Sequence, residues 1–423
     1  MKIELVCPRV WWDALLQEGL RAESEHRVYG APLGHARTAD YWRLLVRGPF
    51  RPVSSGAEAD LQVLFRSGSP GVQLYGAAEA EALLVLGRGP AEGRWAGWVK
   101  TPEGQEPLTQ LFFPGSGMLR IGMAPPDNTQ ASRWSRTRSA LGEDVWQRLA
   151  GLKIGIVGCG RLGSAVAQAL ARNGIRQLIL VDPDRVELHN LGEGEGLTEK
   201  DVGAFKAEVL ARHLASDCPW IHAVAVVASV ETWPGLQALK TCDLLICAAD
   251  TRQARRNAAR LAACYLLPLL ELGTGVFALS EGGRQLGLEV WLFLPGEACR
   301  FCFDHNATNE EMQGLPWWAD RMGSLRSLNL TAAGLGLLAL EGLVREEIRH
   351  STAWIWQWPG ELQQISPSVC ERCRQTSWGQ GDAFLLATVT NEHEPDYNTT
   401  KSSYLKIYRG LSQTNINLPI KGV

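Results

Sequence analysis

The sequence contains three glycines at G-x-G-x-x-G spacing, Gly158, Gly160 and Gly163, between a short apolar run and a segment with helical periodicity. Glycines at this spacing allow a tight turn, a close approach of the backbone to a phosphate, and close contact between a helix and a strand. The motif alone leaves NAD, FAD and ATP open, and a glycine-rich turn without a ligand is a further alternative. The residues that follow must decide which nucleotide the loop holds.

Polar residues after this loop favour a triphosphate. Asp182 directly follows the apolar run LILV, at the place where an acid reaches the ribose hydroxyls of a nucleotide. This acid would bind the ribose of NAD equally well. Asp184, Asn190 and Lys206 follow, and a lysine and an amide near a glycine loop suit phosphates better than a nicotinamide; Asp184 could instead be a solvated surface residue. Asp250 stands at the tip of another buried strand, where a carboxylate can hold Mg²⁺ on phosphate oxygens. The sequence thus favours ATP with Mg²⁺.

Two C-x-x-C pairs predict a metal site. Cys299 and Cys302 form the first pair, and Cys370 and Cys373 form the second. Four thiolates from two short loops suit a tetrahedral Zn²⁺ site that stabilises the C-terminal part and has no open coordination position for catalysis. Two disulfides or free thiols are the alternative. The other six cysteines lie mostly in apolar runs or beside the glycine loop, and we expect them in the core.

Composition excludes several classes of partner. The 423 residues carry a formal net charge of -3, which gives no electrostatic reason to expect a nucleic acid or an anionic membrane as partner. The first residues lack the pattern of a signal peptide, and the longest apolar stretch is interrupted by Glu341. We therefore expect a cytoplasmic protein of two or three domains.

Strand-like and helix-like segments alternate from residue 153 to about 275. This alternation predicts an α/β fold with a doubly wound, mostly parallel, Rossmann-like sheet and a ligand crevice at the carboxyl ends of its strands. We assign it to a domain of residues 128–378. Short apolar runs in residues 1–127 predict a small α+β accessory or recognition domain, and residues 379–423 are expected to form an extended tail.

Ordered motifs between Arg133 and Cys373 resemble those of the ThiF/MoeB/HesA adenylyltransferases, which are related to ubiquitin-activating enzymes. The matching motifs are RWSR, GCGRLGS, VDPDRVELHNL, DVGAFK, AADTRQAR, CRFC and CERC. The resemblance implies ATP-dependent adenylation of a C-terminal carboxylate, on a small ubiquitin-like or sulfur-carrier protein or on a peptide, with release of pyrophosphate. A further protein that accepts the activated group is a possible second partner.

The resemblance also implies roles for single residues. Asp182 corresponds to the ribose ligand, Asn190 and Lys206 to phosphate contacts, and Asp250 to the Mg²⁺-binding acid. Arg136 resembles the family arginine that reaches the phosphates from the second subunit, so a homodimer is implied.

The sequence departs from the family at two places. Relatives continue from Asn-Leu into x-Arg-Gln, whereas this chain has Glu193 and Gly194 there, which reverses a charge beside ATP. Either Arg161 or Arg185 compensates, or the domain is a weak or inactive module that only binds a C-terminal tail; an NAD-dependent oxidoreductase is a third alternative. Many relatives also carry an acceptor cysteine after the first cysteine pair, but none occurs here before Cys370. The acyl group is therefore expected to pass to an external nucleophile.

Overall fold

In the computed structural model, the described residues of the N-terminal part form two sheets and one helix. The structure describes residues 2–21, 28–38, 41–53, 59–67, 81–88, 95–101, 104–122, 131–192, 194–278, 283–300, 321–323, 325–366 and 378–383. The first sheet has the order β11-β10-β1-β4-β3 and contains β1 (Lys2–Val6), β3 (Leu33–Arg37), β4 (Tyr41–Val46), β10 (Gln110–Phe113) and β11 (Leu119–Ile121). The second has the order β5-β2-β6-β7-β8-β9 and contains β2 (Val28–Ala31), β5 (Arg51–Val53), β6 (Leu61–Ser67), β7 (Ala82–Arg88), β8 (Trp95–Thr101) and β9 (Gly104–Pro107). Helix α1 (Arg9–Arg21) follows β1.

The larger C-terminal part is built on one nine-stranded sheet of order β14-β13-β12-β15-β16-β17-β19-β20, with β18 paired to β16. Its strands are β12 (Lys153–Val157), β13 (Gln177–Val181), β14 (His222–Val226), β15 (Leu244–Cys247), β16 (Leu269–Ala278), β17 (Arg284–Phe293), β18 (Arg321–Gly323), β19 (Thr352–Trp358) and β20 (Leu362–Ile365). The helices are α2 (Ser135–Leu141), α3 (Glu143–Ala150), α4 (Arg161–Arg172), α5 (Lys206–Asp217), α6 (Trp233–Leu239), α7 (Arg252–Tyr265) and α8 (Arg326–Val344). Short 3₁₀ turns span Ala131–Trp134, Leu188–Asn190 and Glu199–Asp201.

The structure confirms a mixed α/β fold, but only part of the large sheet is parallel. The five strands β14, β13, β12, β15 and β16 run parallel, whereas β17, β19 and β20 continue the sheet antiparallel. The expectation of a mostly parallel sheet therefore holds for the half that carries the glycine loop. The short connection between β16 and β17 explains the change, because a parallel pair needs a crossover of about a dozen residues or more.

The first sheet joins the two parts through its two faces. Along β1 and β4, Val6 and Leu45 belong to the core of the large sheet, while their neighbours Leu5 and Leu44 belong to the core under α1. Successive side chains of a strand point to opposite faces, so this sheet is buried on both sides. Strands β1 and β4 are accordingly almost continuously buried.

A buried ionic network ties the same sheet to the base of the large sheet. The Arg43 guanidinium donates to Glu4 Oε2 at 2.9 Å and to Asp243 Oδ1 at 2.6 Å, and Arg120 binds the same two acids. Asp243 Oδ2 also accepts the backbone N–H of Lys153, at the start of β12, at 2.9 Å. Burial alone would raise the pKa of Asp243, but Arg120 and Arg43 outweigh it and hold that pKa at about 2. Its stabilising contribution is complete above the unfolded-state pKa of about 3.9 and is lost as the pH falls through about 2.

The start of the segment that the sequence analysis assigns to the tail is packed at this junction. The backbone N–H groups of Gly379 and Gly381 donate to the carbonyls of Ala263 and Cys264, at the end of α7. Asp382 Oδ1 accepts from Lys240 and from Tyr265, each at 2.9 Å. Residues 384–423 lie outside the described part of the chain.

Within the described residues, α8 alone is long and apolar enough to cross a membrane by length and composition. Of its most apolar stretch, 56% is buried inside the protein. Core helices pass the same criterion, so one such helix is weak support for a membrane span.

We predict that Asp243→Ala lowers the free energy of unfolding by about 3–5 kcal/mol, because it leaves the buried Arg43 and Arg120 with only one of the two carboxylates that they share. Urea denaturation followed by circular dichroism measures this loss. The control is Asp217→Ala, an exposed acid 3.9 Å from Arg172, for which a change within about 1 kcal/mol is expected. Equal losses in the two variants would contradict the importance of the network.

Candidate nucleotide-binding site

The glycine loop joins β12 to α4 at the carboxyl edge of the sheet. Gly158 has φ of 91°, a conformation that favours glycine. A Cβ on Gly163 would collide with the Gly158 carbonyl oxygen, so the close packing of α4 on the loop requires glycine there. A Cβ on Gly160, in contrast, would meet no atom within 4 Å and would point into open space. Two of these glycines are thus required by the fold, while Gly160 leaves room beside the loop.

The loop lies where the strand order of the sheet reverses. From β12 the chain continues outward through β13 and β14, and it then returns to place β15 on the other side of β12. In open α/β sheets, ligands bind in the crevice at such a switch point. Asp250 follows β15 at this edge, and Thr251 caps α7 by accepting the N–H of Ala254 at 3.2 Å.

A pocket of about 380 Å³ opens beside the loop. Its wall contains Gly160, Arg161, Asn190 and Lys206 from the predicted site. Cys159, Ser164, Val186, Gly194, Glu195, Leu197 and Leu210 complete it. The Asn190 side chain is fixed because its Oδ1 accepts the backbone N–H of Glu187 at 2.9 Å.

Asp182 is buried beside this pocket and holds two backbone segments in place. Its Oδ2 accepts the N–H of Cys159 at 2.6 Å, and its Oδ1 accepts the N–H of Asp184 at 2.8 Å. Burial raises the pKa of Asp182, while these two hydrogen bonds and the charge of Lys206 partly offset the effect. A carboxylate has about four acceptor positions, so Asp182 retains capacity for a ligand hydroxyl.

Lys206 begins α5 and faces this acidic group. Its Nζ lies 2.9 Å from Asp184 Oδ2. Burial alone would lower the pKa of Lys206, but the hydrogen bond to Asp184 and the charges of Asp182, Asp184 and Asp250 raise it above its ordinary value. Lys206 is therefore a fixed cation, and the effect of Asp250 on its pKa relates that acid to the same site.

The structure does not bring Arg136 to this pocket. Arg136 lies exposed on α2, two residues after Trp134, whose indole donates to the Arg172 carbonyl at 2.9 Å. Trp146 and Trp220 donate in the same way to the carbonyls of Asn173 and Ala171. These three tryptophans cap the C-terminal end of α4, whose 12 residues span about 18 Å. Arg136 is thus at the opposite end of α4 from the glycine loop of its own chain.

Of the two arginines considered as replacements for the family arginine, only Arg161 lies in the pocket wall. Arg185 stacks on the Phe205 ring, 3.8 Å from its centroid, and donates to the Gly203 carbonyl. Glu193 lies outside the described residues, and Gly194 lines the pocket.

Arg255 is largely buried in an ionic cluster. Its Nε donates to the Ala249 carbonyl at 2.9 Å, and its Nη1 lies 2.8 Å from Glu271 and 3.1 Å from Glu289. Arg255 therefore fixes the backbone immediately before Asp250. Two acids within otherwise apolar strands, Glu271 and Glu289, were the sequence signal for a buried cation here.

The predicted zinc ligands are mostly outside the described part of the chain. Cys299 is described and is buried, whereas Cys302, Cys370 and Cys373 lie outside it. Within the described ranges, no three His, Cys, Asp or Glu side chains form a group that could hold a metal ion. The six remaining cysteines, predicted to lie in the core, are all buried, which confirms that prediction. They are Cys7, Cys159, Cys218, Cys242, Cys247 and Cys264.

The reversal of strand order beside a glycine-rich loop, with a buried acid after the neighbouring strand, defines a nucleotide-binding domain of the Rossmann class. Residues 134–338 match the model of the ThiF family. The chain thus carries a ThiF family domain over these residues, in agreement with the motifs of the sequence.

Several named relatives match part of this chain. The chain is 39% identical over 80 residues to tRNA threonylcarbamoyladenosine dehydratase 2 of Saccharomyces cerevisiae, covering 19% of this chain and 18% of that protein. It is 31% identical over 131 residues to SAMP-activating enzyme E1 of Haloferax volcanii, covering 30% and 48%. It is 31% identical over 115 residues to sulfur carrier protein adenylyltransferase of Thermus thermophilus, covering 27% and 42%. The chain spans less than half the length of each of these relatives.

Among solved structures, E. coli MccB in complex with AMPCPP and MccA has a TM-score of 0.47 with this chain at 20% identity. The match covers 59% of this chain and 75% of that chain.

We predict opposite outcomes for two alanine substitutions in the loop. Gly163→Ala should lower the melting temperature strongly, because its Cβ collides with the Gly158 carbonyl. Gly160→Ala, with φ of -73° and open space around its Cβ, should change the melting temperature by no more than a few degrees. Differential scanning calorimetry of both variants without nucleotide measures this difference, and comparable losses would contradict the division of roles.

Proposed function

We propose that this chain is an ATP-dependent adenylyltransferase that activates the C-terminal carboxylate of a small ubiquitin-like or sulfur-carrier protein or of a peptide. The proposal is carried by one observation: Gly160, Arg161, Asn190 and Lys206 line the same pocket at the start of α4. A helix N-terminus, an arginine and a lysine together suit a polyphosphate. Two of the relatives are named for activating SAMP and for adenylating a sulfur carrier protein.

The site divides into parts with separate roles. Asp182, which has free acceptor positions, holds the ribose hydroxyls, and Asp184 orients Lys206 through their ion pair. The N–H groups at the start of α4, Arg161, Asn190 and Lys206 bind the phosphates. Asp250 is exposed at the carboxyl edge, and an exposed carboxylate beside phosphates fits the oxygen ligands that Mg²⁺ prefers. Mg²⁺ would supply charge neutralisation on the phosphate oxygens.

The reaction is a displacement at the α-phosphorus of ATP. A carboxylate oxygen of the substrate forms a bond to the α-phosphorus while the bond from that phosphorus to the bridging oxygen breaks, giving an acyl-adenylate and pyrophosphate. Lys206 offsets the negative charge that develops on the phosphates, and its raised pKa keeps it protonated at neutral pH.

The acyl group then passes to an external nucleophile rather than to a cysteine of this chain. Burial raises the pKa of Cys159 and raises that of Cys247 to about 12, so neither is a thiolate at neutral pH. A cysteine of the partner, a sulfur donor or an amine is the acceptor. The four cysteines of the two C-x-x-C pairs complete a structural Zn²⁺ site in this proposal, and residues 1–127 form the accessory domain that recognises the partner.

Two other functions are alternatives to this proposal: the activation of a different substrate, and binding without catalysis. The identity to a tRNA threonylcarbamoyladenosine dehydratase favours a substrate carried on tRNA, although the net charge of -3 gives no electrostatic reason to expect a nucleic acid. Glu193, an acid at the place where relatives have an arginine, favours an inactive module that only binds a C-terminal tail. ATP–pyrophosphate exchange, assayed with a synthetic peptide ending in Gly-Gly, with a ubiquitin-fold sulfur carrier and with threonylcarbamoyladenosine-containing tRNA, separates these functions.

We propose that the protein forms a homodimer through α8. Leu330, Gly334 and Leu338 are exposed at four-residue spacing and form an apolar stripe along this helix. Gly334 at its centre would let a second helix approach closely, because a Cβ there meets no atom within 4 Å. Packing of this stripe against a second copy would remove it from water.

The orientation of α8 explains how such a dimer would complete the site. One end of α8 lies at the pocket, where Arg326 binds Glu195, and the other end lies at the C-terminal end of α4, where Glu341 binds Asn173. Arg136 is at this second end. Two copies of α8 packed antiparallel about a two-fold axis would bring the partner's Arg136 toward this chain's pocket.

We predict that Asp250→Asn reduces exchange by about 100-fold or more, because the amide keeps the shape but loses the charge that holds Mg²⁺ at the phosphates. The assay uses whichever of the three carboxylate probes supports exchange by the parent protein. Asp217→Asn, an exposed acid at the end of α5, is the matched control and should keep full activity. Full exchange in Asp250→Asn would remove Asp250 from the mechanism.

We predict that two inactive variants restore activity when they are mixed. Arg136→Ala and Asp250→Asn should each abolish exchange, but a mixed dimer has one site with Asp250 intact and the partner's Arg136 intact. Dissociation and reassociation of an equimolar mixture should therefore recover about a quarter of the parent activity, as expected for random pairing of two subunits. Mixing Arg136→Ala with Leu338→Glu should recover none, because Leu338→Glu prevents pairing. Activity of isolated Arg136→Ala, or no recovery on mixing, would contradict the proposed dimer.

A further inference from the structure

Glu195 brings an arginine from a distant part of the chain to the wall of the nucleotide pocket. Glu195 lines this pocket, and its Oε1 lies 2.8 Å from Nη2 of Arg326, the first residue of α8. The Glu195 N–H donates to Ser164 Oγ at 3.2 Å, and Ser164 Oγ donates to the Arg161 carbonyl at 3.1 Å. Glu195 is thus attached to the first turn of α4, the turn that faces the pocket.

A carboxylate in this wall opposes an anionic ligand unless a cation neutralises it. The side chains of Glu195 and Arg326 remain 24% and 51% exposed, so the pair is accessible to solvent and is not sealed in the core. Arg326 also begins α8, whose N-terminus carries a partial positive charge. The charge of Glu195 is therefore offset by two positive groups on its α8 side.

We propose that Arg326 binds the β- and γ-phosphates of ATP and that Glu195 is the positioning residue that holds it at the pocket. This inference rests on the proposed function and supplies the cation that the sequence lacks at Glu193. A guanidinium presents five N–H donors in a planar fork that fits carboxylates and phosphates alike, so Arg326 can contact phosphate oxygens while Glu195 keeps it in place. Arg185 does not serve this role, since it is bound to Phe205 and Gly203.

The arrangement also explains why an acid is tolerated beside the phosphates. With Arg326 present, Glu195 acts as an anchor for the guanidinium. Without Arg326, the same carboxylate would repel the nucleotide. The effects of the two residues on ATP affinity are therefore expected to be coupled, and to be confined to the terminal phosphates.

Isothermal titration calorimetry of the full chain with Mg²⁺ tests this inference, using ATP and AMP as separate ligands. Arg326→Ala should weaken ATP binding by about tenfold or more, as expected for the loss of a charge-assisted hydrogen bond, and should leave AMP binding within about twofold. Arg326→Lys should recover part of the loss, because it restores the charge without the fork. The control is Arg345→Ala, which removes an exposed arginine paired to Glu347 at the other end of α8, and should change neither affinity.

The double variant Glu195→Gln/Arg326→Ala separates this role from a structural one. It should bind ATP several-fold more tightly than Arg326→Ala alone, because the unpaired carboxylate is removed. If Arg326→Ala binds ATP like the parent protein, or weakens ATP and AMP equally, the inference fails while the proposed adenylation stands. A parent protein that binds ATP no more tightly than AMP would overturn the inference as well. If the parent protein binds ATP more tightly than AMP but shows no pyrophosphate exchange with any carboxylate probe, the result counts against the proposed function alone.

Discussion

The close packing of α4 on the glycine loop is the constraint on which the rest of the site depends. Because Gly163 has no Cβ, the first turn of α4 can lie directly against the Gly158 carbonyl, and the N-terminus of the helix then faces the pocket. The position of the helix is fixed at its other end as well, by the indoles of Trp134, Trp146 and Trp220. A helix held at both ends delivers its N–H groups to a defined place, which is a prerequisite for binding an anion without reorganisation.

At this edge of the sheet, the negative charges of three acids are offset by cations paired with them. Asp184 is paired with Lys206, Glu195 with Arg326, and Glu271 with Arg255. Asp182 is satisfied instead by two backbone N–H groups. Each of these acids therefore holds a cation or a backbone segment in position. Lys206 lines the pocket, and Arg326 binds Glu195 in the pocket wall. This explains how a site with several carboxylates can accommodate a ligand with negative charge.

Local motifs allowed much of the site to be predicted from the sequence. The spacing of the three glycines encodes their backbone roles, and the acid after β13 and the lysine at the start of α5 follow within one strand and one helix of the loop. The position of Arg326 could not be predicted in this way, because Glu195 and Arg326 are separated by several strands and helices and meet only through the packing of α8 on α4. The role of the tryptophans was hidden for the same reason, since an indole N–H finds its carbonyl partner only in the folded chain. The antiparallel half of the sheet was missed because its strands are as apolar as the parallel ones, and only the short β16–β17 connection distinguishes them.

The accessory part of the chain is joined to the opposite edge of the same sheet. Asp243 precedes β15 and Lys153 begins β12, so the ionic network with Arg43 and Arg120 lies at the amino ends of the two strands whose carboxyl ends form the pocket. Val6 and Leu45 also pack in the core of the large sheet, so the junction is apolar as well as ionic. The first sheet and the nucleotide-binding sheet are therefore one packed unit, in which the N-terminal strands support the base of β12 and β15. A partner bound by the N-terminal part, as proposed above, would consequently be held at a fixed distance from the pocket.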